Sequence, residues 1–242
     1  MYALKEENDS QEIIEIGEKI LAQCTDNAKR YSAMQVLCFL YKKLGDREKA
    51  KEYAYMAPNL VVTNNVLLSH VLEGDELAVH CQNNIVVMLD LLAREIFRYG
   101  SYRGGIKGNE AKHAMRTATK LYELIYENGD FGFYACRLSE IYENLAKIAA
   151  EQQNKDETLE YLANTVKYTI IFDTQEEFQR TSLLVNRLSY SSKNVSKDYM
   201  ANESYLTLKQ MEDKCYDFCR GDERFVKLIE DLKKVAKEDA SV

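Results

Sequence analysis

Cys215 and Cys219 are the first residues in this chain whose type and spacing suggest chemistry. On a helix, positions i and i+4 turn two thiols to one side, where they could ligate a metal. A closed zinc site takes four ligands, and the three histidines, His70, His80 and His113, are not paired at ligand spacing. The two cysteines are therefore read as core or surface thiols, and neither a metal nor a cofactor is expected. The loop Arg103–Gly108, RGGIKG, could cradle an anion through backbone amides at the start of the following helix. No Ser or Thr follows Lys107 and no strand pattern precedes the loop, so it reads as a plain connector. No Ser–His–Asp or Cys–His arrangement can be argued, and no carboxylate pair stands apart from the acidic surface. An enzyme is not expected.

What remains is a binding face, and it depends on how the helices are phased. Met34, Leu37, Cys38 and Tyr41 recur at i, i+3, i+4 and i+7, the spacing of one buried helical side. Gly45-Asp46 punctuates that helix, because glycine accepts the left-handed conformation that closes a helix C-terminus. A second helix follows, with Ala50, Ala54 and Ala57 on one stripe, where small side chains allow close approach of two backbones. Tyr142, Leu145, Ala146 and Ala149 repeat the first pattern, and Leu159, Ala163 and Val166 the second. Four of the ten glycines precede aspartate, at Gly45, Gly74, Gly129 and Gly221, which indicates repetition and not catalysis. The expected fold is all-α: a tetratricopeptide-like α-solenoid of antiparallel helical hairpins, one domain over residues 1–242.

In such a solenoid, residues beside the buried stripe of each first helix line the concave groove. They are Gln35, Phe39 and Lys42 in the first hairpin and Glu143, Lys147 and Glu151 in the second. A mixed apolar and charged groove suits an extended peptide or a partner helix. The 17 tyrosines fall at helical spacing and read as packing between hairpins.

Along the chain, Met1–Asn8 read as the last turns of a helix that began earlier, and Ser10 as the cap of the next. Ile13, Ile14, Gly17, Ile20 and Leu21 form that helix's apolar face. Something is expected to precede residue 1; a chain that starts here with a short cap is the alternative. After Pro58 a long helix runs from Leu77 to Tyr99, with Ile85, Met88, Leu89, Leu92 and Ile96 facing the core. Helix resumes at Glu110 and runs through Leu121, Leu124 and Ile125 to Gly129-Asp130. Tyr190–Lys197, YSSKNVSK, is a break before two closing helices.

Composition bounds the partners. Lys and Arg number 32 against 39 Asp and Glu, a net charge of −7, which argues against direct nucleic-acid binding by this chain. No apolar run approaches the roughly 18 residues of a membrane span. Six cysteines scattered through helical patterns fit reduced thiols in the cytoplasm, the expected location.

Three stretches, YALKEENDSQEIIEIGEKIL (Tyr2–Leu21), LGDREKAKEYA (Leu44–Ala54) and DFGFYACRLSEIYENLAKIAAEQQNKDETLEYL (Asp130–Leu162), carry a resemblance. With the closing RGDERFVKLIEDL (Arg220–Leu232), they resemble the tetratricopeptide-like C-terminal domain of Firmicute regulators that begin with a Cro-repressor-type helix-turn-helix. The resemblance implies a regulatory domain of a transcription regulator that binds a short signalling peptide or a partner protein in its groove. It departs from that pattern in two ways: the helix-turn-helix is absent from these 242 residues, and the asparagine-rich peptide-backbone clamp that the resemblance implies is only partly present, with Asn64 and Asn83–Asn84 in a region where the repeat phase is unclear. The rival reading is a free-standing scaffold that bridges proteins without any link to DNA. A homodimer is left open.

Overall fold

The computed structural model describes residues 7–57, 64–101, 105–194 and 201–238. They are mostly helical, as the all-α expectation requires, with two strands of two residues each. The chain, read above as one domain, is divided into two compact units, Met1–His70 and Val71–Val242, each described by itself.

The first unit contains α1 (Glu7–Gln23), α2 (Asn27–Lys43), α3 (Arg47–Met56) and the short α4 (Asn64–Leu68). Asp26 caps α2 by accepting the Ala28 and Lys29 amides, and Asp46 caps α3 by accepting that of Lys49. Between them Gly45 takes φ +86°, and the Asp46 amide returns to the Tyr41 carbonyl at 2.9 Å, closing α2. The core is Ile14, Leu37, Leu40, Tyr41 and Ala50. Gly17 lets α1 sit directly on α2, since a Cβ there would lie 2.9 Å from the Leu37 side chain. Tyr41 stacks on Tyr53 (centroids 5.5 Å, 11° between planes), and both hydroxyls donate to Glu18 Oε1, at 3.3 and 3.0 Å. Burial and then Glu18 push the Tyr53 hydroxyl pKa upward.

Several expectations for this unit need correction. Ser10 is no cap: it is buried inside α1, which starts by Glu7. The expected stub Met1–Asn8 lies largely outside the described residues. The small-residue stripe on α3 is one residue long, because Ala50 is buried while Ala54 and Ala57 are exposed. The α3 contact with α2 is completed by Tyr53, not by alanines.

The second unit contains α5 (Gly74–Gly100), α6 (Gly108–Ile125), α7 (Tyr134–Glu151) and α8 (Lys155–Thr174). A hairpin of β1 (Phe178–Gln179) and β2 (Ser189–Tyr190) follows, then α9 (Glu203–Gln210), a 3-10 turn at Lys214–Cys219 and α10 (Glu223–Val235). The α7–α8 hairpin is the one expected from the sequence. Its turn repeats the geometry at Gly45-Asp46 without glycine: Gln153 takes φ 56° and the Asn154 amide reaches the Ala149 carbonyl at 3.0 Å. Leu138, Leu145, Ala146, Ala149, Leu159, Leu162 and Val166 are buried between the two helices, whereas Ala163 is exposed.

Polar groups tie these helices together. The Lys112 ammonium, almost fully buried on α6, donates to Glu157 Oε2 at 2.6 Å and Gln152 Oε1 at 2.8 Å. Arg116 reaches the other Glu157 oxygen at 2.6 Å and the Tyr161 hydroxyl at 2.7 Å. Burial pulls the Glu157 carboxyl upward, but the Lys112 and Tyr161 hydrogen bonds and both cations hold it below the usual range. A chain of hydroxyls crosses the core: Ser139 Oγ lies 2.6 Å from Thr169 Oγ1, which lies 3.2 Å from Thr207 Oγ1 on α9. Asp173 holds the start of α9 by accepting the Glu203 and Ser204 amides.

On α5 the expected core face is rotated. Leu89 and Ala93 are buried, with Val86, Ile96 and Phe97 packed beside them, but Met88 and Leu92 are 55% and 52% exposed. On α6, Leu124 is exposed. Among the described residues no helix is long and apolar enough to cross a membrane.

Candidate binding site

The irregular segment after α8 helps to build a cleft in the second unit. An all-helical reading has no place for this segment, yet it is fixed at many points. Asp130, at the corner between α6 and α7, accepts the Thr181 and Ser182 amides on Oδ2 (2.5 and 3.0 Å) and the Ser182 hydroxyl on Oδ1 (2.5 Å). Burial raises the Asp130 carboxyl pKa, but those three hydrogen bonds outweigh it and hold the group below the ordinary value. From α5, Gln82 donates to the Leu183 carbonyl and Asn186 Oδ1, and accepts the Arg187 amide at 2.8 Å. Val185 plugs the core beneath, fully buried. The pairing Phe178↔Tyr190 and Gln179↔Ser189 then sets Arg180 and Arg187 at the two ends of the loop.

The cleft has a volume of about 740 Å³. Asn83 and Val86 of α5 form one wall, Phe133 and Tyr134 at the start of α7 another, and Leu188 to Ser191 with Asn194 a third. Arg180 and Arg187 line it as well. Arg187 is half exposed and pairs at 2.8 Å with Asp75, itself almost fully solvated. Tyr134 stacks on Tyr122 and Tyr126, and burial pushes its pKa to about 12. The Tyr190 pKa is also raised by burial. Both phenols stay protonated near neutrality, so they offer hydroxyls and ring faces, not bases. Nearby Cys136 is pushed to about 12 by burial, which leaves its thiol unreactive at neutral pH.

The residues expected to line a groove are distributed as follows. Gln35, Phe39 and Lys42 all lie on the exposed side of α2, Phe39 with 61% of its surface free. A depression of about 490 Å³ in the first unit is lined instead by Glu18, Arg30, Met34 and Tyr53, among others. Asn64 opens α4, and its side chain lies outside the described residues. In the second unit Glu143 and Lys147 form an ion pair, with the Glu143 side chain 12% exposed; Glu151 is exposed at the end of α7. Of the two adjacent asparagines, Asn83 lines the cleft and Asn84 is buried against His80.

Cys215 and Cys219 belong to a 3-10 turn, not to an α-helix, so i and i+4 do not share a face. Cys219 is fully buried and Cys215 is half-buried, with its pKa pushed to about 11 mainly by burial. Among the described residues no group of three or more His, Cys, Asp or Glu could hold a metal. Of the glycine loop, Arg103 and Gly104 lie outside the described residues, while Gly105 and Gly108 take positive φ just before and at the first residue of α6.

The two arginines of the cleft escaped the sequence reading, though a signal existed. From Phe178 to Asn194 the chain carries Arg180, Arg187 and Lys193 and no acidic residue, within a protein of net charge −7. Compared with known protein families, with characterised proteins and with solved structures, the chain matches none.

Proposed function

We propose that this chain is the ligand-binding domain of a transcription regulator, a tetratricopeptide-like solenoid that takes up a peptide segment. The observation that carries the reading is the cleft over α5, α7 and the β-hairpin, with aromatic walls, the exposed Asn83 and two guanidinium groups. A lining that mixes aromatic and aliphatic side chains with polar and charged ones fits the alternation of side chains along an extended peptide. The reading is non-enzymatic and needs no cofactor. Its mechanism is a population shift, in which the bound peptide favours one arrangement of the helices and so repositions an attached DNA-binding domain. A second reading, a scaffold that joins proteins without any role at DNA, draws on Phe39 of α2 and on the row Met88, Leu92 and Tyr99 of α5. All four are exposed by half or more, as interaction surfaces often are.

Panning a displayed library of random peptides against the chain tests the first reading. Enriched peptides should lose about tenfold or more in affinity when the exposed Asn83 is changed to Asp or Arg187 to Glu, the size of effect seen for a contact near 1.4 kcal/mol. Peptides that bind both variants as well as the parent would rule out the cleft. Capture that depends on Phe39 or Met88 instead would favour the scaffold.

A further inference from the structure

We infer that Arg180 is an anchor for a carboxylate, and that the cleft takes a ligand whose carboxylate adjoins an apolar or aromatic group. The inference rests on the peptide reading only for the source of that group, as a C-terminus or an acidic side chain. Arg180 is 94% buried by its 6% exposure, and among the described residues no carboxylate lies within ion-pair distance of it. Its Nη1 donates to the Asp130 backbone carbonyl. The carboxylate of that same Asp130 is occupied by Thr181 and Ser182. The remaining support is aromatic, with the guanidinium carbon 4.7 Å from the Tyr126 ring centre and 5.9 Å from that of Phe178. Taking a cation out of water without a counter-charge is unfavourable, and a guanidinium's fork of donors matches a carboxylate in two parallel hydrogen bonds.

The backbone makes room for this arrangement. Gly132 sits beneath the guanidinium with φ +57°; a Cβ there would come within 2.9 Å of Arg180 Nη2 and 2.7 Å of Tyr190 Cδ2. Among the described residues the Tyr190 hydroxyl is buried without a hydrogen-bond partner. Arg187, which among the described residues pairs only with the solvated Asp75, can turn toward a second oxygen, since such surface pairs hold weakly. Phosphate matches the same fork, but a bare phosphate would leave Val86, Phe133 and Leu188 uncovered. An apolar-bodied carboxylate uses both halves of the cleft.

The test titrates the whole chain with N-acetylphenylalanine, its uncharged amide and inorganic phosphate, following binding by calorimetry and the Arg180 side-chain Nε–H resonance by NMR. The carboxylate should saturate at least tenfold below the amide and shift that resonance. Arg187→Gln, a change at the surface, should weaken it several-fold, and Arg180→Gln should abolish it. If Arg180→Gln fails to fold, the resonance in the parent protein decides. Equal binding of acid and amide, or an unmoved Arg180 resonance, overturns the inference. Phosphate binding as tightly as the carboxylate overturns the assignment of ligand class. Selected peptides that bind independently of Arg180 would sink this inference and spare the peptide reading. A carboxylate that binds at Arg180 while no peptide does would do the reverse.

Discussion

The first unit holds its helices around Ile14, Leu37, Leu40, Tyr41 and Ala50, whereas the core of the second runs unbroken from Leu89 to Leu232. They also handle polar groups differently. At the edge of the first unit, the hydroxyls of two stacked tyrosines donate to one Glu18 carboxylate, and a solvated Lys49 donates to the Tyr41 hydroxyl. In the second, Lys112 and Glu157 are taken inside, and each has several partners. Hydrophobic stabilisation scales with buried apolar area, so the thin core leans on single contacts where the thick one can lose a contact and keep its fold. Calorimetry on the chain should therefore resolve two transitions, with the first unit melting at the lower temperature.

Substitutions can break that contrast. The largest effect is expected from Leu138→Ala, a fully buried leucine on α7. It should cost about 3–5 kcal/mol, lowering the upper transition and leaving the lower one in place. A joint shift of both transitions would mean that the units do not unfold independently. Tyr41→Ala removes a stacked ring and the hydroxyl that meets Glu18. A loss of about 3 kcal/mol should nearly abolish the lower transition alone.

Asp130→Asn sharpens the comparison in the other direction, because it strikes a loop and not a core. Charge-assisted hydrogen bonds to buried donors are involved, so a loss of about 1–3 kcal/mol is expected, confined to the upper transition. The pH dependence follows from the lowered carboxyl pKa. Below its unfolded value of about 3.9, the unfolded chain takes up a proton before the folded one does. The stabilisation is thus present above that pH and is lost as pH falls through the folded value. Stability measured from pH 6 downward should decline more steeply in the parent than in Asp130→Asn, and parallel curves would remove Asp130 from the account. The smallest effect belongs to Phe39→Ala, within about 0.5 kcal/mol on either transition, since its ring is 61% exposed. Unfolding as severe as that of Tyr41→Ala would show that the phase of α2 is misjudged.

The hairpins were legible because their sequence patterns are one-sided. On α2 the apolar positions recur every three or four residues, and both Asp46 and Asn154 stand where a helix needs its cap. On α5 the run IVVMLDLL from Ile85 to Leu92 is apolar on nearly all sides. Period alone cannot then choose between Leu89 with Ala93 and Met88 with Leu92. The alanine stripes failed for a related reason: alanine is compatible with both a close contact and an open helical surface, so its spacing carries little information. The shape of the cleft was not legible. Its parts come from residues 83 to 194, and the contacts that shape it, Asp130 with Ser182 and Gln82 with Asn186, join irregular backbone across 50 to 100 positions. No local periodicity records such contacts.

The hydroxyl chain of Ser139, Thr169 and Thr207 also bears on how the C-terminal helices come and go. A serine or threonine proton in contact with water trades places with solvent too quickly to be seen in a magnetic resonance spectrum. Sealed among α7, α8 and α9, these three are shielded until α9 lifts away, and each lifting event resets them. They form a built-in clock for undocking, which reads the opening of one end of the molecule without any label and while the rest stays folded. Because Thr207 meets Thr169 at one position, α9 cannot slide by a turn along α8 without breaking that contact, while Ser139 and Thr169 keep each other. The same chain that times the release therefore also fixes the single position to which the helix returns.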